Sequence, residues 1–173
     1  NSVRAYTSVG AGMIIATVAM TGESGTWTPA GVAVSARSAN GRTTLDGAAS
    51  YVTHGQIADV IFVVAKAEDG LGLFEVAADA TGLTRRALPS FDRTLRLARL
   101  DFMDTPARQI GRMGWPAVQS ALDLALVALA GEQAGGARRI FDMTVDYART
   151  RIQFGRPIGG FQAIKHMAAD LLI

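Results

Sequence analysis

The chain has 173 residues, 49% hydrophobic and 18% charged, with 17 Lys+Arg against 15 Asp+Glu for a net charge of +2. That composition gives ample material for a buried core and excludes a disordered chain or one with a strongly basic nucleic-acid-binding field. The absence of cysteine excludes disulfides and thiolate-held zinc or iron–sulfur centres.

From the N-terminus to about Pro106 the chain reads as β. Gly12–Met20 is short, apolar and partly β-branched, and a polar loop over Thr21–Ala30 follows it. Alternating or apolar runs then fall at Gly31–Ala36, Arg42–Leu45, Ser50–Thr53, Ala58–Lys66, Gly72–Val76 and Leu95–Phe102. Asn40-Gly41, Asp46-Gly47 and Asp69-Gly70 are expected tight turns between them. Strands at this spacing with no helical period predict an antiparallel barrel or sandwich. Gly70 and Gly72 do not make a nucleotide fingerprint, because no helix opens after them.

After Pro116 the period changes. Apolar residues recur at three- and four-residue steps from Val118 through Leu129, and again from Ile140 to Ala148. This predicts a helix to Arg151 of roughly 35 residues, about 50 Å long. Gly131, Gly135 and Gly136 within it suggest close approach of another helix. Gly155-Arg156-Pro157 is expected to end it, with a second amphipathic helix over Ile158–Ile173. The fold class is therefore α+β, with the change between units near 106–115.

The longest apolar run, Ala121–Ala130, is interrupted by Asp123 and too short to span a bilayer. With no signal pattern at the start, a cytoplasmic location is the expectation. The chain begins at Asn1 and stops at Ile173 inside an apparently helical stretch, so a piece of something longer is expected. His54 and His166 have no second ligand nearby in sequence, and no metal site is expected. Neither is assigned a catalytic role, and His166 is expected to pack on the second helix.

The stretch Tyr147–Gln162, YARTRIQFGRPIGGFQ, carries the most specific pattern. Taken alone, Arg149 and Arg151 read either as cations solvated at a helix C-terminus or as anion-binding groups. The string DYARTRIQFGRPIGGFQAIKHMAADLLI resembles the C-terminal signature of the acyl-CoA dehydrogenase family. Upstream, LDGAASYVTHGQIADVIFVVAKA resembles the family's middle domain, and GLFEV with LRLARLDFMDTPARQIG resembles the strands that close it. The resemblance implies an antiparallel β-barrel middle domain over 1–112. It implies the first helices of a four-helix C-terminal domain over 113–173.

It also implies FAD, held in extended form between the β-domain and the C-terminal helices and reaching a neighbouring subunit. Arg151, Gln153 and Phe154 match positions that touch the diphosphate and adenosine, and Gln162 matches a further FAD contact. Tyr51, Val52 and Thr53 match a triplet lying along the flavin ring, and Met20 and Thr21 a strand end over its pyrimidine side. In that loop Gly22 and Glu23 stand where Glu and Pro are usual, and Trp27 falls near the family's Ser beside flavin and thioester.

The implied reaction is α,β-desaturation of an acyl-CoA thioester, a carboxylate taking the α-proton while hydride passes to FAD N5. The catalytic residue is not identified. In most members the base lies on a loop beyond the last residue here, and the alternative helical site falls at Ala125. Glu132 lies two turns further on and reads as a helix-face residue. Asp123 is retained from the family's acyl-CoA region, whereas its Arg position is Leu126.

The resemblance implies an acyl-CoA substrate, an electron-transferring flavoprotein or similar acceptor, and a homo- or hetero-oligomer, as a tetramer built of two dimers. It implies a role in fatty acid or steroid side-chain catabolism, with no nucleic acid and no membrane span. The alternatives are a non-catalytic partner subunit that completes the FAD site of a heteromeric acyl-CoA dehydrogenase, and a flavin-free protein on the same fold.

Overall fold

The computed structural model describes residues 7–112 and 114–172, the Arg112 side chain apart. It divides into two compact units, Asn1–Gln119 and Ser120–Ile173. The first is a seven-stranded sheet made of β1 (Ala16–Ala19), β2 (Ser35–Ala39), β3 (Arg42–Thr53), β4 (Val60–Ala67), β5 (Gly70–Ala77), β6 (Leu83–Leu88) and β7 (Leu97–Arg112).

Pairing runs β4–β2–β3–β7–β5 and returns to β4, which closes a barrel. β7 is long enough to pair with β3 along one edge and with β6 and then β5 along the other. The barrel is mixed, not antiparallel as the strand spacing suggests. β1 runs parallel to β4 from Ala16↔Val60 to Ala19↔Val63, and β2 meets β4 parallel at Ser35↔Lys66. The reason is topological. A parallel neighbour needs a long crossover, and here β2 and β3 themselves supply the chain between β1 and β4. Nothing in the local pattern of Gly12–Met20 records that.

Three further expectations are corrected. Asp46-Gly47 is not a turn but lies inside β3, at a register shift against β7. Gly47 has φ +122°, and a Cβ there would sit 2.5 Å from the Ala33 carbonyl oxygen. Gly47→Ala is therefore expected to destabilise the barrel by roughly 1–3 kcal/mol, read as a lowered urea midpoint. The last turn shifts by one residue, since Glu68-Asp69 form the β4–β5 loop and Gly70 opens β5. β6, LTRRAL, is polar enough to escape a search for apolar alternation. Asn40-Gly41 is the expected two-residue hairpin turn, with φ of +52° and +76°.

The core follows the period of two along the strands. Gly72, Phe74 and Val76 are buried along β5 between half-buried neighbours, and Ile61 and Val63 on β4 and Leu100 on β7 are fully enclosed. Outside the barrel wall, the Arg85 guanidinium donates to the carbonyls of Gly55, Gln56, Ala58 and Ala78. It thereby pins the loop between β3 and β4.

Helix α1, Trp115–Thr150, spans 36 residues and starts in the first unit. Leu124, Val127, Ile140 and Met143 are all more than half exposed along it. Gly131, Gly135 and Gly136 have no atom within 4 Å of a built Cβ, so no close-packed neighbour meets them among the described residues.

The helix ends at Thr150, and the turn after it differs from expectation. Ile152–Gln153 (β8) and Arg156–Pro157 (β9) pair as a small hairpin whose two loop residues are Phe154 and Gly155. A 3₁₀ turn, Ile158–Gly160, then leads to α2, Gln162–Asp170. The second helix is thus shorter than Ile158–Ile173, and Ile173 lies outside the described residues, as does Met113, the first residue of the expected helical domain. No helix among the described residues is long and apolar enough to cross a membrane.

Candidate functional site

In the barrel, the strand-end residues and the aromatic triplet are brought side by side. The Ser50 amide donates to the Thr21 carbonyl at 2.8 Å, and the Thr21 hydroxyl donates back to the Ser50 carbonyl at 3.3 Å. The Thr17 hydroxyl donates to the Thr53 carbonyl at 2.6 Å. Thr21 is thus held to Ser50 by one backbone and one hydroxyl hydrogen bond, and Met20, half-buried, directly follows β1. Thr21 is buried with its hydroxyl committed, and Val52 is a core residue. Tyr51 and Thr53 are the members with exposed side chains.

Tyr51 sits on a bulge of β3, where the partner register slips between Ala49 and Val52. Its φ is +60°, a sparsely populated conformation for a bulky side chain. Such strain is held in place by surroundings and concentrates at functional sites. Here the Tyr51 hydroxyl donates to the Glu23 carbonyl at 3.2 Å, and Gly25 lies against the ring, 3.3 Å from a built Cβ to Cε2. The Glu23 carboxylate in turn pairs with Arg99. Loop 21–28 is therefore tied to the barrel at Tyr51 and at Arg99, and carries Trp27 with its side chain more than half exposed.

Gly22 has no room for a side chain, because a Cβ would meet that of Ala33 at 2.7 Å. The departure from the family's Glu is thus built into the packing of this loop.

Arg99 also donates to Asp101 at 2.8 Å, and Arg86 donates to the other oxygen of Asp101 at 2.8 Å. Burial alone would raise the Asp101 carboxyl, but the hydrogen bonds and charges of Arg99 and Arg86 outweigh it and hold it below its usual range. A carboxyl lowered on folding contributes stability above its unfolded value near 4, lost as pH falls through the folded one. Asp101→Asn is accordingly expected to lower the urea midpoint at neutral pH, with the gap from the unsubstituted protein closing below about pH 4.

His54 adopts φ +56°, donates its amide to the Arg96 carbonyl at 2.7 Å, and has a buried Nδ1 with no hydrogen-bond partner among the described residues. His166, expected to pack, is exposed on α2. Among the described residues no three His, Asp or Glu are grouped to hold a metal ion.

In the helical unit, Arg151, Gln153 and Phe154 fall on or beside the β8–β9 hairpin, Gln162 opens α2, and all four are exposed. The Arg151 amide closes the helix onto the Tyr147 carbonyl at 2.8 Å, and its carbonyl accepts from the Ile158 amide at 2.8 Å. A built Cβ at Gly159 lies 3.0 Å from the Ala148 carbonyl oxygen, so the segment folds tightly back over the last helical turn. The Arg151 backbone therefore anchors the hairpin and leaves its guanidinium free of any hydrogen bond or ion pair among the described residues.

Phe154, at φ +52°, occupies the first loop position of the hairpin with its ring 91% exposed. It meets Phe161 edge-on, centroids 6.1 Å apart at 89°, and the Arg156 guanidinium lies 4.1 Å over the Phe161 ring. Sequence reasoning placed Arg156 in a turn and gave it no role. Reading Phe154-Gly155 as the two-residue loop would have revealed it as the cross-strand partner of Gln153.

Ala125, Leu126 and Glu132 lie exposed on α1. No described carboxylate is placed by these contacts as a base.

A closed mixed barrel followed by a long helix is the fold of the middle and C-terminal domains of flavin-dependent acyl-thioester dehydrogenases. The family description "Acyl-CoA dehydrogenase, C-terminal domain" matches residues 112–173. Acyl-CoA dehydrogenase IpdE2 of Mycobacterium tuberculosis is 39% identical over 129 residues, 71% of this chain and 34% of that protein.

Among solved structures, the glutaryl-CoA dehydrogenase of Mycobacterium smegmatis in complex with FADH2 superposes with a TM-score of 0.88 at 25% identity. The match covers 94% of this chain and 44% of that one. The ChsE4-ChsE5 complex from Mycobacterium tuberculosis matches with a TM-score of 0.79 at 32% identity, covering 94% and 43%. The chain belongs to the acyl-CoA dehydrogenase family. It spans about a third of the length of the curated relatives it matches, 34% of IpdE2.

Proposed function

We propose that this chain is the barrel and first C-terminal helices of an FAD-dependent acyl-CoA dehydrogenase, residues 1–112 forming the former and 113–173 the latter. Tyr51 and Thr53, with the backbone of Met20, Thr21 and Val52, line the isoalloxazine. Arg151, Gln153, Phe154 and Gln162 hold the diphosphate and adenosine.

The observation that carries this reading is the hairpin. It presents a guanidinium with no hydrogen-bond or ion-pair partner among the described residues, an exposed amide and an exposed ring on a strained turn. That donor set suits a dinucleotide, since the guanidinium fork pairs with phosphate oxygens and the ring offers a stacking face. FAD, when bound, supplies the hydride acceptor for desaturation of an acyl-CoA. The chain's own part is to bind and orient: Tyr51, fixed through Glu23, offers a rigid ring, and the Thr53 hydroxyl is free to meet a polar edge.

The wider assignments rest on the same family likeness. They are an acyl-CoA substrate from fatty acid or steroid side-chain breakdown, an electron-transferring flavoprotein or similar acceptor, a tetramer, and a cytoplasmic setting.

A second reading has its own observation. Ala125 and Leu126 replace the alternative base and an acyl-CoA-region Arg, and Gly22 is packed so that no side chain fits. These favour a partner subunit of a heteromeric enzyme that completes the FAD site while another chain supplies the base. A visible spectrum of the purified full-length protein, alone and co-expressed with a homologous subunit, separates the two. Flavin on the protein alone supports the self-sufficient enzyme, and flavin only on co-expression supports the heteromer. Absence of flavin from both sinks the cofactor assignment.

A further inference from the structure

We infer that Arg156 is a second diphosphate-binding cation on the hairpin, held ready by Phe161; the inference rests on the FAD reading above. Gln153 and Arg156 are directly paired across the hairpin, so they share a face. Arg151 directly precedes β8, and its carbonyl accepts from the Ile158 amide just past β9, so it adjoins the same hairpin. Two guanidiniums and one amide thus fall within a hairpin only a few residues wide. Neither is paired with a carboxylate among the described residues, whereas Arg149 and Arg138 on the helix are each bridged to an acid, Asp146 and Asp142.

Arg156 is also the one of the pair with a fixed pose. Its guanidinium lies 4.1 Å over the Phe161 ring, and Phe161 stands edge-on to Phe154. A guanidinium held over a ring face spends none of its N–H donors on a hydrogen bond, which leaves them available to an anion. A dinucleotide diphosphate carries one negative charge on each phosphate, which matches two cations on one hairpin. The same stack braces Phe154 in its strained conformation, so binding would spend little on ordering the hairpin.

The test is titration of the full-length apoprotein with FAD, and separately with coenzyme A, for the unsubstituted protein and for Arg156→Gln, Arg156→Lys and Phe161→Leu. Arg156→Gln is expected to weaken FAD about tenfold and to flatten the dependence of affinity on salt. Arg156→Lys should restore the salt dependence but not the full affinity, since the charge returns without the planar fork. Phe161→Leu should weaken FAD by a smaller factor with the salt dependence intact. Thermal midpoints within about 2 °C of the parent would show that the exposed substitutions leave the fold alone.

Equal FAD affinity and salt dependence in Arg156→Gln and the parent would overturn the assignment while leaving the FAD reading standing. An effect confined to coenzyme A would overturn it too, and failure of the unsubstituted protein to bind flavin would remove both.

Discussion

Arg151→Ala is expected to strip the flavin from the protein without unfolding it. The Arg151 backbone does the structural work, closing α1 onto Tyr147 and accepting from Ile158. An alanine keeps both of those bonds. The side chain has no partner to lose among the described residues, so the stability change should stay within about 0.5 kcal/mol, as for other exposed positions. Each charge-assisted hydrogen bond to phosphate is worth about 1.5–3 kcal/mol, so flavin affinity should fall roughly 10- to 100-fold. Arg151→Lys should fall between, because a point charge cannot make the bidentate fork. Flavin absorbance retained through gel filtration, with a melting curve on the same samples, reads both quantities. Full flavin retention by Arg151→Ala would remove this residue from the site, and a collapsed melting curve would assign it to the fold.

The contrast between the two candidate groups shows what the sequence made legible. The period change near Pro116 marked α1 to within a residue at each end, because a 36-residue amphipathic pattern is long enough to outweigh its glycines. Asn40-Gly41 was readable because both residues tolerate positive φ.

Phe154-Gly155 was not, since phenylalanine has no intrinsic preference for that conformation. Its turn is held by packing on Phe161 and by the fold-back onto Ala148, both tertiary. Tyr51 was picked out by likeness alone, and its exposure comes from a bulge that no local pattern announces. The parallel β1–β4 pairing was hidden for the same reason, because strand direction is fixed by the path of the chain. Glu23 read as a plain departure from a motif, yet its carboxylate and its carbonyl both secure loop 21–28. Residues that act through contacts distant in sequence were the ones the sequence could not expose.

Phe74→Ala should be among the most destabilising single changes in the barrel, at about 3–5 kcal/mol. The ring is 1% exposed and belongs to the continuous core that includes Ile61, Val63 and Leu100. Its place is also shaped by a neighbour on its own strand. A Cβ built on Gly72 would lie 2.7 Å from Phe74 Cε2 and 2.8 Å from Cζ, so the ring fills the space that a side chain at 72 would occupy. The glycine is required by volume here, not by backbone conformation, because Gly72 does not have positive φ.

That gives a coupled expectation. Gly72→Ala alone forces the ring aside and destabilises, and Phe74→Leu alone leaves a void. In the double variant the added methyl partly occupies the space the smaller side chain vacates. Its loss of stability should be less than the sum of the two singles by at least about 0.5 kcal/mol, beyond the scatter expected for independent sites. Urea midpoints of the four proteins close the cycle. Strict additivity would mean that the ring and residue 72 do not compete for this space, and that the strand alternation alone accounts for Phe74.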